Sequence, residues 1–174
     1  STHCISSAAS DVYKRQRHYP VIAAANPLRG PAYDAASVAA VVDSVKGPVV
    51  LVGHSYGGSV ITAAANGKPN VKALVYVAAF APEAGETALG LTGQFPGSTL
   101  GPTLAPPVPL ADGGKDLYID QGKFPAQFAA DVPLAQARLM AVGQRPIAEA
   151  ALNEAAQAPA WKSVPSWFCL LYTS

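Results

Sequence analysis

Of 174 residues only two are cysteine and one is methionine, and both cysteines, Cys4 and Cys169, lie in the terminal segments. A disulfide framework or a C-x-x-C redox pair is thereby excluded from the body of the chain, and a cysteine-free body is compatible with the cytoplasm. Charge is sparse. Twelve Lys and Arg against 11 Asp and Glu leave a net charge of +1, which steers the chain toward neither nucleic acid nor an anionic membrane surface. No apolar run approaches the roughly 20 residues of a membrane span. Phosphate-cradling loops and zinc spacings are missing. Asp112, Asp116 and Asp120 lack the Gly turn and bidentate Glu of a calcium loop. No metal and no other cofactor is expected. Histidine is scarce as well: His3, His18 and His54 are the three present, and none follows residue 54. Internal repeats are absent.

What the chain does have is core-forming material, with half its residues apolar over about one domain of length. The strongest local signal is Val49-Val50-Leu51-Val52-Gly53-His54-Ser55-Tyr56-Gly57-Gly58, followed by the Ala-rich segment 59–65. A β-branched run after Gly47-Pro48 predicts a buried strand, and the small residues behind Gly58 predict a tightly packed helix. Between them Gly53, Ser55 and Gly57 form G-x-S-x-G, in which a sharp strand-to-helix turn holds one serine in a strained, exposed position. Cβ atoms at the two glycines are expected to collide with the neighbouring strand and helix. A turn whose serine merely caps the helix is the bland alternative.

Residues 51–58, with Val71-Lys72-Ala73-Leu74-Val75-Tyr76-Val77-Ala78-Ala79-Phe80-Ala81-Pro82 after them, resemble the elbow and following strand of the α/β-hydrolase superfamily. The likeness is to small bacterial esterase-type members, akin to plant methyl-ester esterases and hydroxynitrile lyases, and it runs from about residue 19 to 168. The fold class it implies is α/β: an α/β-hydrolase fold with a mostly parallel sheet and flanking helices, truncated at both ends and carrying a lid or cap insertion.

Along the chain, residues 17–79 read as the hydrolase core including the elbow. A strand at 21–25 is ended by the turn chemistry of Asn26-Pro27, in which Arg29 reads as solvated. Asp34 is expected to cap a helix whose Val38, Val41, Val42 and Val45 share one face, ended by Gly47. Strands alternating with helices imply parallel pairing. Residues 80–162 turn dense in Pro and Gly, then carry helical patches at 125–131, 134–142 and 147–156 and a short extended piece at 115–120. They read as the lid insertion, with a plain structural excursion as the alternative. Residues 163–168 start another core strand. The ends, 1–16 and 169–174, resemble translated sequencing adaptor and read as non-native or disordered tails, ordinary flexible termini being the alternative. The resemblance further implies that an earlier strand lies between the strand at 21 and the elbow strand, and such a strand would precede residue 17. Its place should then stand empty, or the two should collapse together, and the chain by itself should be unstable.

The resemblance implies that Ser55 is the catalytic nucleophile, that the backbone N–H of Tyr56 is one oxyanion donor, and that Gly53, Gly57 and Gly58 shape the elbow. Phe80, Phe128 and Met140 are candidates for the substrate pocket, with Phe124, Leu134 and Leu139 beside them in a cap core. His54 should point away from the catalytic face. The family's acid and histidine follow later strands and are absent from this chain, as is its second oxyanion donor. Glu83 and Glu86 occupy an alternative acid position but read as surface loop. The implied activity is a serine esterase acting through an acyl-serine on small-molecule esters, this chain alone being inactive. No nucleic-acid or membrane partner is expected, and the oligomeric state is open. Two rivals stand beside it: a non-catalytic ligand-binding domain of the same fold, and a cofactor-free hydroxynitrile-lyase-type enzyme.

Overall fold

The computed structural model describes residues 20–94 and 96–170, with the backbone of residues 3–5. Strands β1 (His3–Ile5), β2 (Val21–Ile22), β3 (Val49–His54), β4 (Val71–Val77) and β8 (Ser166–Cys169) make one parallel sheet in the order β2-β1-β3-β4-β8. β3 lies at its centre, and the side chains it turns inward are apolar: Val49 and Leu51 are wholly buried, as is Leu74 of β4 beside it. Helices α1 (Pro31–Ser44) and α2 (Gly57–Ala64) supply the crossovers and bury Val38, Val42, Val60 and Ile61 in the same core. Val41 and Val45 pack against it, as the helical spacing predicts. No helix among the described residues is long and apolar enough to cross a membrane.

Three features depart from the sequence reading. The slot between β2 and β3 is occupied: Cys4 and Ile5 pair with Val21 and Ile22 on one side, and His3, Cys4 and Ile5 with Val49, Val50 and Leu51 on the other. Two apolar parallel strands with open edges offer unpaired N–H and C=O groups, each costing about 1–3 kcal/mol if buried unmatched, and these three residues match them. The expectation that residues 1–16 stand wholly outside the fold therefore fails at His3–Ile5; the rest of that segment and residues 171–174 lie outside the described residues. Cys169, assigned above to the C-terminal tail, extends β8 instead, paired with Val77 and accepting the N–H of Ala78 at 2.8 Å. Helix α1 starts at Pro31, one turn before Asp34, since proline's fixed φ and missing N–H suit a first turn. The N–H of Ala32 is met by Glu154 Oε1 at 2.8 Å.

Between the adjacent strands β4 and β8 the chain leaves the sheet and returns to the same place. The stem is closed by the N–H of Gly85 on Ala156 O and of Ala156 on Glu86 O, both 2.8 Å, and by Trp161 Nε1 donating to Pro82 O at 3.1 Å. Glu83 pairs with Lys162 at 2.5 Å in this stem, and Glu86 Oε2 accepts the Glu83 N–H at 2.7 Å, so both carboxylates are engaged in closing the stem. The excursion holds α3 (Ala88–Gln94), then β5 (Val108–Pro109), β6 (Lys115–Leu117) and β7 (Ile147–Ala148) as a small antiparallel sheet. Helices α4 (Phe124–Phe128), α5 (Leu134–Gly143) and α6 (Glu149–Asn153) accompany it. Phe124, Ala129, Ala137 and Ala141 form its own core, with Met140 against them. Leu134 and Leu139 of α5 are exposed rather than part of it, because the four-residue spacing of Ala137 and Ala141 sets which face turns inward.

Candidate active site

Ser55 sits at the hinge between β3 and α2 with φ of 52°, a region that side-chain-bearing residues seldom adopt. The strain persists because the surroundings fix it on both sides. Ser55 N–H donates to Val77 O at 3.3 Å, and Ser55 O accepts from the N–H groups of Gly58 at 3.0 Å and Phe80 at 3.1 Å. The glycines divide unequally in this task. A Cβ on Gly53 would stand 2.5 Å from Gly57 O, and one on Gly58 would stand 2.1 Å from Phe80 O; one on Gly57 would meet nothing within 4 Å. The crowding expected at both glycines of G-x-S-x-G thus holds at Gly53 and moves from Gly57 to Gly58, where the returning chain passes over the helix.

Ser55 lines a cavity of about 520 Å³ walled by Ala23, Ala24, Leu28, Val52, Val60 and Ile61. Asn26, His54 and Arg145 also line it, as does Phe128 of α4. Of the three pocket candidates, Phe128 lines the cavity. Phe80 does not: its backbone braces the elbow. Met140 does not either, being held in the core of the excursion. His54 was expected to face away from the catalytic face; it is among the residues lining the cavity, and its ring meets the Phe128 ring edge-on, centroids 6.3 Å apart. Burial by these walls lowers its pKa from the usual 6.5, although part of the ring remains open to solvent. Among the described residues Ser55 Oγ has no hydrogen-bonded base, and the N–H of Tyr56 is unclaimed.

Behind the cavity lies a polar network that sequence reasoning missed. Tyr56, almost wholly buried, donates its hydroxyl to Asp34 Oδ2 at 2.8 Å. Burial first, and the carboxylate second, push the Tyr56 phenol well above its usual pKa, so it remains a donor. Asp34 is fully buried and receives the Arg29 N–H on both oxygens, at 3.0 and 3.2 Å. Arg29 itself is anchored rather than solvated. Its guanidinium reaches Asp116 Oδ1 at 2.6 Å, Pro146 O at 3.0 Å and Pro27 O at 3.2 Å. A signal was available for Asp34. It lies one helical turn before Val38 on the stripe that faces the core, where a charge demands a partner. For Arg29 and Asp116, 87 residues apart, the sequence offers none.

A family described as "Alpha/beta hydrolase family" matches residues 9–174. A carbendazim hydrolyzing esterase of Nocardioides sp. (strain SG-4G) is 52% identical over 44 residues, which are 25% of this chain and only 18% of that esterase. Among solved structures, an extracellular alpha/beta-hydrolase from a Paenibacillus species, said to share structural and functional homology with Tobacco Salicylic Acid Binding Protein 2, superposes with a TM-score of 0.73. Identity there is 20%, over 98% of this chain and 77% of that one. Polyneuridine aldehyde esterase gives a TM-score of 0.75 at 16% identity, over 98% and 80% of the two chains. At such identities the likeness speaks for the fold alone.

Proposed function

The chain belongs to the alpha/beta hydrolase family, and from that premise we propose that Ser55 is the nucleophile of a carboxylic-ester hydrolase acting on small, largely apolar esters. The reading rests on one observation: a serine in a strained strand-to-helix turn faces an apolar cavity of about 520 Å³ beside an unclaimed backbone N–H. Ser55 Oγ attacks the ester carbonyl, the alcohol departs, and water later releases the acid from the acyl-serine. The Tyr56 N–H, at the positive end of α2, holds the oxyanion. Phe128 and the excursion that carries it serve as the lid, placing an aromatic wall over the bound ester.

A fluorophosphonate probe applied to the protein carrying this sequence should modify the Ser55 peptide, and Ser55→Ala should abolish both modification and ester hydrolysis. Modification of a different serine overturns the assignment. The 174 residues taken alone are expected to turn over p-nitrophenyl esters far below the roughly 1–1000 per second typical of enzymes, because no base contacts Ser55 Oγ among the described residues.

A further inference from the structure

The residue after the nucleophile supplies its N–H to the oxyanion, so the orientation of the Ser55–Tyr56 peptide matters for rate. α2 begins without a side-chain cap at Tyr56. The Ser55–Tyr56 peptide is held at its carbonyl by the Gly58 and Phe80 N–H groups, and Tyr56 is anchored a second time at its far end: the hydroxyl is bonded to Asp34 at 2.8 Å, and Asp34 is in turn gripped through both oxygens by the Arg29 backbone. The Tyr56 carbonyl is fixed too, accepting from the N–H groups of Ser59 at 3.0 Å and Val60 at 3.4 Å. Burying a phenol against a carboxylate is a costly way to fill space. A phenylalanine would occupy the same volume with no polar atom to satisfy. A gain from the polar pair must lie in direction, since it restricts the Tyr56 side chain to one rotamer and ties the start of α2 to the start of α1.

We propose that Tyr56 and Asp34 form a positioning pair, in which the buried phenol–carboxylate bond holds the Tyr56 N–H aimed at the oxyanion formed at Ser55. This rests on the reading of Ser55 as nucleophile. Neither side chain touches the reacting atoms; both act through the peptide they orient. The Arg29 N–H is the third member, since it keeps the carboxylate from turning away.

The test uses Tyr56→Phe, Asp34→Asn, Asp34→Ala and the Asp34→Ala/Tyr56→Phe double variant of the protein carrying this sequence. Two readouts serve: the rate of fluorophosphonate modification at Ser55, and the ¹H–¹⁵N shift of the Tyr56 amide. Tyr56→Phe is expected to slow modification by about 10- to 100-fold, the scale of a small misplacement, with unchanged apparent probe affinity and a moved Tyr56 amide signal. The double variant should be no slower than Asp34→Ala, because both changes break one bond. Asp34→Asn, which keeps an acceptor, should recover part of the rate. Should Asp34→Ala fail to fold, Tyr56→Phe carries the test, for it removes only one oxygen atom. Modification of Tyr56→Phe at the wild-type rate with an unmoved amide signal overturns the proposal, as do effects that multiply in the double variant. Absence of modification in the unaltered protein instead defeats the nucleophile reading, and the amide shift still decides the positioning role.

Discussion

Arg29 Nη1 stands 2.6 Å from Asp116 Oδ1, an ion pair that joins the turn after β2 to the small sheet of the excursion. The same guanidinium holds Pro146 O, just before β7, so a single side chain clasps two points of the excursion to the main sheet.

Replacing Arg29 by Ala should leave a mostly buried carboxylate uncompensated. A fully buried broken pair costs about 3–5 kcal/mol. One third of the Arg29 side chain faces solvent, so about 1–3 kcal/mol is expected after screening. Urea unfolding measures the loss, and hydrogen exchange should quicken in β6 and β7 before it does in α1. Lys should not substitute, because its point charge cannot meet three acceptors in different directions.

The elbow glycines offer a paired comparison. Gly58→Ala puts a methyl 2.1 Å from a backbone oxygen, and such overpacking costs roughly 1–3 kcal/mol or more. Gly57→Ala meets open space and should change stability by less than about 1 kcal/mol. Equal melting temperatures for the two variants would contradict the geometry.

Ser59 is buried in α2, and its hydroxyl has no hydrogen-bond partner among the described residues. An unmet buried hydroxyl costs about 1–3 kcal/mol. Ser59→Ala should therefore raise the melting temperature by about 2–4 °C for each kcal/mol recovered. A lowered melting temperature would mean that the hydroxyl is satisfied after all.

His54 makes the folded state sensitive to mild acid. Burial lowers its pKa below the unfolded value of 6.5, so the unfolded chain binds the extra proton first. Above about pH 6.5 the ring is neutral in both states and contributes nothing; as pH falls below that value the unfolded state gains. His54→Gln should flatten the decline in thermal stability between pH 7 and pH 5 relative to wild type, and an identical decline in the two proteins would refute this.

The sequence by itself determined the elbow, the alternation that yields a parallel sheet, the apolar stripe of α1 and the excursion after β4. All of these rest on periodicity or on turn chemistry, which neighbouring residues set together. Only the tertiary structure decided what contacts across long separations impose. It filled the slot between β2 and β3 with His3–Ile5, because open strand edges take whatever backbone matches them. It turned His54 toward Phe128, and left Met140 and Phe80 out of the cavity that Phe128 enters. It made Arg29, which lies in a turn that reads as solvent-facing, the clasp of the excursion. It moved the steric demand from Gly57 to Gly58, since the crowding atom belongs to Phe80, on a segment that returns over the helix. Local patterns name the elements and the reactive turn; which side chains share the cavity depends on where distant backbone passes, and that information is not local.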